Sequence, residues 1–372
     1  MVGVMTSSFH DWLSTFVGNP HNPSFMPGIF TPFGTRMTFW ERLLNTYISA
    51  AVTSQINYYM SQQVSYVKKY FNMDTSIEDL YQDLAAILVN SHHSINGVKP
   101  FTQGIIEVGG LHVKNDADPL TPEVQKWLDE STHGCIFFTF GSMMRIESFP
   151  KPVLQTFYKV FEKLAPVRVL MKVAKKEELL PGLPKNVMIQ PWFSQVSVFK
   201  HKNVKAFITH GGLMGTMEAI YYAIPMVGIP LFGDQKTNIA NGVSKNIAVT
   251  LNSIENVTEE TLSAAINAVL YDKTYRTSIN KISQLFKDRP MTAIDTAVYW
   301  VEYVARNGYV LQSPAIHLTW YQQYLLDVYA FVLVCLTIVL YIAIRLIKAV
   351  KNYFTRSSSN KVKRPSESKK RK

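Results

Sequence analysis

Trp192, Gln195, His210, Gly211, Gly212, Gly215, Glu218, Asp234 and Gln235 follow one another within 44 residues, and each residue type suggests one kind of contact. An indole at 192 offers a flat face to a base, and the amide of Gln195 has the donor and acceptor needed to read the edge of a uracil. Glycines at 211 and 212 let backbone N–H groups approach phosphate oxygens with no Cβ in the way, and His210 can add a hydrogen bond from its ring. Glu218 can accept two hydrogen bonds from a ribose diol. The carboxylate of Asp234 and the amide of Gln235 suit sugar hydroxyls. The set reads as a site for a nucleoside diphosphate sugar.

These side chains meet only if the backbone brings them to one edge. Residues 206–209 (AFIT) form a short apolar run that fits a buried strand, and His210, Gly211 and Gly212 follow as a turn. Apolar residues then recur at helical spacing from 213 to 223, which puts the glycine pair at a helix N-terminus, where free N–H groups and the dipole favour an anion. Glu218 falls about two turns into that helix. A second strand, 226–229, ends at Pro230 ahead of Asp234 and Gln235.

The surrounding chain alternates in the same way. Strands are expected at 135–140, 167–173, 187–189 and 248–251, and helices at 150–164, 259–270, 275–287 and 292–306. Such alternation predicts an α/β fold with a parallel sheet that binds ligands at the carboxyl ends of its strands. Upstream come a strand near the start, a Pro/Gly-rich loop (18–34), a helix over 39–71 whose apolar stripe is expected in the core, and strands at 84–89 and 105–108. Gly109-Gly110 and the polar run to Pro122 read as a hinge. The expected organisation is therefore a partial N-terminal domain (1–113), a hinge (114–122), a nucleotide-sugar domain (123–308), a linker (309–327), a transmembrane helix (328–350) and a basic tail (351–372). Asp116-Ala117-Asp118 matches an Asp-x-Asp metal motif, but its place in a linker reads as coincidence. No metal is implied.

The net charge of +11 is concentrated at one end. Residues 345–372 hold eleven Lys and Arg against one acid, Glu367, so the remainder carries about +1, and a nucleic-acid-binding face is not expected. Residues 328–344 (VYAFVLVCLTIVLYIAI) carry no charge and reach the lower length for crossing a bilayer. Trp320, Tyr321, Tyr324 and Tyr329 precede them as an aromatic belt and the basic run follows, which predicts a cytosolic C-terminus. Lys369, Lys370, Arg371 and Lys372 resemble a dilysine retrieval signal of the endoplasmic reticulum. Cys135 and Cys335 fall in a strand and in the span, so no disulfide is expected, and Asn256-Val257-Thr258 is an N-glycosylation acceptor sequence.

The block from Trp192 to Gln235 resembles the signature of the UDP-glycosyltransferases, in particular the membrane-bound UDP-glucuronosyltransferase branch of animals. The resemblance implies a two-domain GT-B glycosyltransferase with a Rossmann-like donor domain, a partial N-terminal domain and a C-terminal transmembrane helix. It assigns Trp192 and Gln195 to the uridine, His210 with the Gly211–Gly212 backbone to the diphosphate, Glu218 to the ribose, and Asp234 with Gln235 to the sugar. Gly141 and Ser142 look like the family's Gly-Ser loop near the phosphates. Many vertebrate members have asparagine where this chain has Met214, a residue closer to the invertebrate pattern.

In this family an N-terminal histidine, oriented by an aspartate, takes the acceptor's proton and the product is inverted. The resemblance places both, and a signal peptide, upstream of the region that Met1 onward resembles. His10, Asp11, His92 and His93 are the N-terminal groups available as a substitute base, and none sits in a recognisable catalytic motif. The expected activity is transfer of a hexosyl or glucuronosyl group from UDP-glucose or UDP-glucuronate, a cosubstrate rather than a cofactor, to a small lipophilic acceptor at the endoplasmic reticulum membrane. The alternative is a membrane-anchored UDP-sugar-binding partner of full-length relatives without turnover. Association with itself or with relatives fits either.

Overall fold

The structure, a computed structural model, describes residues 1–113 and 118–361. The terminal basic cluster lies outside them. Of the Asp-x-Asp triplet only Asp118 is described, and its carbonyl accepts a hydrogen bond from the Ser197 hydroxyl. Two compact units are present, residues 1–316 and 317–372.

In the first unit the strands are β1 (Val2–Met5), β2 (Ala86–Val89), β3 (Ile105–Glu107), β4 (Cys135–Thr139), β5 (Arg168–Lys172), β6 (Val187–Gln190), β7 (Val204–Thr209), β8 (Met226–Gly228) and β9 (Ala248–Thr250). Its helices are α1 (Phe39–Phe71), α2 (Ile77–Gln82), α3 (His93–Asn96), α4 (Pro122–Asp129), α5 (Lys151–Lys163), α6 (Gln195–Lys200), α7 (Leu213–Tyr221), α8 (Gln235–Ser244), α9 (Glu259–Tyr271), α10 (Lys273–Lys287) and α11 (Ala293–Asn307). All strand pairs are parallel, in a sheet ordered β1-β2-β3 and another ordered β6-β5-β4-β7-β8-β9.

The larger sheet is a filled sandwich. Every side chain of β4 is buried, and successive residues serve opposite faces. Ile136 and Phe138 pack with Leu154, Phe157 and Phe161 of α5 and with Leu262 and Ile266 of α9. Cys135 and Phe137 pack with Val124 and Leu128 of α4, Met217 and Ile220 of α7, and Ile279 of α10. The strand order reverses direction between β4 and β7. At such a switch point neighbouring strands lead away to opposite sides and leave a crevice beyond their carboxyl ends.

The smaller sheet is covered differently from expectation. Helix α11, assigned from sequence to the 123–308 domain, packs on β2 and β3, where Ala297 and Val304 join Ala86, Leu88 and Ile106. Its apolar face supplies the layer that this side of the sheet needs. Ile87, Val89 and Ile105 face Phe9 and Leu13 on the other side.

Helix α1 has the predicted bounds, but the expected apolar core stripe is not in the core. Leu43, Leu44, Tyr47 and Tyr59 are exposed, while Asn45 and Ser49 are buried. Asn45 turns the helix into a polar anchor: its Oδ1 accepts from the Gly28 amide at 2.8 Å, and its Nδ2 donates to the carbonyls of Pro23 and Met26. Gly109-Gly110, read as a hinge, is a tight crossing. A Cβ on Gly109 would lie 2.5 Å from the Ser91 carbonyl oxygen, and Gly110, at φ +84°, would meet the Phe286 ring at 2.7 Å.

The second unit contains α12 (Trp320–Gln323) and α13 (Leu326–Lys361). Residues Leu326–Thr355 are long and apolar enough to cross a membrane, and none of their most apolar window is buried within the protein. The predicted span lies inside this stretch.

Candidate functional site

Strands β4 and β7 end in register, Thr139 opposite Thr209, and both run into the same backbone turn. The Thr139 hydroxyl accepts from the Gly141 amide at 3.1 Å, and the Thr209 hydroxyl accepts from the Gly211 amide at 3.2 Å. Both glycines are left-handed, at φ +72° and +85°, a region that favours glycine. A Cβ on Gly211 would lie 2.5 Å from the Ile239 side chain, so the turn packs closely on α8.

The His210 ring is wedged between the two turns. Side chains on Gly141 or Gly212 would touch it at 3.0 and 2.7 Å respectively. Its Nδ1 is buried without a partner, and burial holds its pKa below the ordinary imidazole value, opposed by the Asp234 carboxylate. Gly212 begins α7 and supplies no side-chain cap, so the first-turn N–H groups are available to a ligand. Ser142 is exposed just beyond Gly141.

Glu218 lies two turns along α7 and is anchored before any ligand arrives. Gln195 Nε2, at the first residue of α6, donates to Glu218 Oε2 at 2.5 Å, and Gly215 passes close to that amide, where a Cβ would lie 3.1 Å from Nε2. Burial pushes the Glu218 carboxyl above the usual carboxylate range, partly offset by this bond. Trp192, between β6 and α6, is 67% exposed, and Lys172 at the end of β5 lies over its ring at 4.3 Å and donates to the Gly141 carbonyl at 3.1 Å.

Asp234 and Gln235 stand at the start of α8. Asn238, which was not anticipated, ties this pair to the histidine turn: its Nδ2 donates to Asp234 Oδ2 at 2.9 Å and to the Gly211 carbonyl at 3.0 Å. Gln235 is buried, and its Oε1 accepts from the amides of Leu231 and Phe232. That oxygen shapes the loop, which leaves the Gln235 NH2 group for any contact with a ligand. Thr237, one helical residue earlier than Asn238, reaches the other sheet's loop by donating to the carbonyl of Ile29 (2.8 Å) or Thr31 (2.5 Å).

All of the sequence-predicted residues thus lie along the carboxyl edge of the six-stranded sheet. Hydrogen bonds and ring contacts link them in groups: Gln195 to Glu218, Asn238 to Asp234 and the Gly211 turn, and Lys172 to Trp192 and the Gly141 turn. The family profile described as UDP-glucoronosyl and UDP-glucosyl transferase matches residues 4–363. The chain belongs to this family.

Its relatives include UDP-glucosyltransferase 2 of Dactylopius coccus, 38% identical over 98% of this chain and 71% of its own length. UDP-glycosyltransferase UGT5 of the same insect is 38% identical over 90% and 64% of the two chains, and human UDP-glucuronosyltransferase 1A6 is 32% identical over 89% and 62%. The chain thus spans between 62% and 71% of the length of these relatives. Among solved structures, the glycotransferase of kitacinnamycin superposes with a TM-score of 0.55 at 18% identity, covering 70% of this chain and 67% of that one. That likeness shows the GT-B fold.

Two residues that contact the predicted ones, Lys172 and Asn238, escaped the sequence reading. Lys172 had no motif to mark it. Asn238 could have been found, since it stands four residues after Asp234, the spacing at which side chains meet on a helix. The N-terminal histidines divide: His92 caps α3 through its Nδ1 and rests edge-on against Phe286, His93 is exposed, and His10 bonds the Ser7 hydroxyl at 2.6 Å.

Proposed function

We propose that this chain carries the donor half of an inverting UDP-glycosyltransferase, which moves a hexosyl or glucuronosyl group to the hydroxyl of a small lipophilic acceptor. The single observation that carries the reading is the convergence, at the β4/β7 switch point, of two glycine turns, one wedged imidazole and one pre-anchored carboxylate. In this reading the uracil lies on Trp192 beside Gln195, and Glu218 receives the ribose diol. The diphosphate faces the start of α7, the Gly141–Ser142 turn and His210. Fixed N–H groups aimed at the departing diphosphate stabilise the charge that grows there. Asp234 and the free amide of Gln235 hold the sugar.

The helix Leu326–Thr355, the aromatic belt before it and the basic residues after it support a single-span protein of the endoplasmic reticulum with its body luminal. A lipid-soluble acceptor would reach a cleft tethered there by partition into the bilayer.

Membranes holding the protein, supplied with UDP-glucuronate or UDP-glucose and a small phenol, test the reading. Any sugar product is expected to have an inverted anomeric centre, seen by NMR coupling constants, and to be lost in Glu218→Ala. Retained configuration, or transfer indifferent to that substitution, contradicts it. Binding of UDP without transfer would leave donor binding as this chain's own activity.

A further inference from the structure

Beyond the residues of the signature, one imidazole reaches the donor cleft from the other sheet's side. His112 follows the packed Gly109-Gly110 crossing, in the segment that leads from β3 toward the donor domain. Its Nε2 lies 3.1 Å from the carbonyl oxygen of Met214, in the first turn of α7, and 3.6 Å from Glu218 Oε1. Both side chains are well covered, at 16% and 14% exposure. A carbonyl only accepts, so Nε2 carries the proton, and Glu218 Oε1 at 3.6 Å lies just beyond hydrogen-bond reach of the same ring edge.

The two oxygens of Glu218 thus have polar neighbours on two sides. Gln195 holds Oε2 from within the donor domain, and His112 faces Oε1 from the connecting segment. A ribose diol needs both oxygens in one plane at one orientation, and a carboxylate already held there loses less rotational freedom on binding. We propose that His112 is a positioning residue that sets the Glu218 carboxylate for the ribose, so that the path of the connecting segment governs nucleotide affinity. This rests on the assignment of Glu218 to the ribose. It adds a link between the two sheets that the signature residues do not contain.

Calorimetry on the full chain with two probes separates the possibilities: UDP, and 2′,3′-dideoxyuridine diphosphate, which offers Glu218 no hydroxyl. His112→Ala is expected to weaken UDP about two- to fivefold, the loss of one weak electrostatic contact, and to leave the dideoxy nucleotide unchanged. His112→Gln, whose amide can put an N–H near the Nε2 position, restores most of the UDP affinity. His112→Phe fills the space without a donor and behaves as alanine does, which removes a packing explanation. Equal loss for both nucleotides, or no loss for either, overturns the proposal. If the wild-type protein does not distinguish the two nucleotides and Glu218→Ala binds UDP normally, the ribose assignment itself has failed. If those controls behave as expected and only the His112 variants remain wild-type, the positioning role alone has failed.

Discussion

Neighbouring strands β4 and β7 close with the same Thr-x-Gly turn, and the residue between threonine and glycine is Phe140 in one and His210 in the other. Phe140 is fully buried, packed against Phe138 and Phe149 in the core under α5. His210 sits 6.4 Å from it, ring to ring, with an unpartnered nitrogen beside two glycines. One backbone device thus serves two ends. The first turn fastens the sheet's edge to the hydrophobic core, and the second presents a polar ring and an open helix start to whatever enters the crevice. The small sheet supplies a third case, since His92 comes just beyond β2, but there the ring caps a four-residue helix and lies against Phe286. The residues immediately downstream decide whether a histidine after a parallel strand is left with a free nitrogen, as His210 is, or capped into a short helix, as His92 is.

The sharpest way to break the comparison is to truncate both middle residues. Phe140→Ala should lose about 3–5 kcal/mol of stability in a denaturant titration, the cost of emptying a packed aromatic site. His210→Ala should barely shift the unfolding midpoint yet weaken UDP binding by about 1–3 kcal/mol. Similar stability losses for the two would show that the turns do the same job.

Acid comes next in size. Burial holds His10 at about 4 and His92 at about 3, against 6.5 for a free imidazole. The unfolded chain therefore takes up protons below pH 6.5 that the folded protein refuses, and stability falls as pH drops from about 6.5 toward 4. His92→Asn keeps an N-cap acceptor but cannot titrate. Its melting temperature should decline less steeply over this range than that of the wild type. An unchanged slope would remove His92 from the account.

The smallest expected effect concerns the shared device. Thr139→Val and Thr209→Val each take the acceptor from a glycine amide and should cost about 1 kcal/mol of stability, measured by chemical denaturation. Both should weaken UDP, Thr209→Val more than Thr139→Val because its glycine leads straight into α7. Equal loss from both would show that the two turns contribute equally to the nucleotide.

Much of this was legible from the residues. Fully apolar strands such as Cys135–Thr139 and the amphipathic α5 announce themselves by period, and the β7–turn–α7 unit is readable as an apolar run, two glycines and a helical repeat. Helix α8 did not announce itself, because Gln235–Ser244 is polar, contains glycine and asparagine, and is held mainly by Ile239 against Gly211 and Gly228. Periodicity was misleading in α1, where tertiary hydrogen bonds to Asn45 decide which face turns inward. The covering of the small sheet by α11 and the reach of His112 into the cleft depend on contacts distant in sequence. No local pattern carries them.

The central claim is that the crevice between β4 and β7 holds uridine diphosphate with its ribose on Glu218. Titration calorimetry of UDP into the wild-type chain and into Glu218→Ala measures this directly. A loss of about 1–3 kcal/mol in binding, with the unfolding midpoint little changed, is the predicted result. Equal affinity in the two proteins would contradict it.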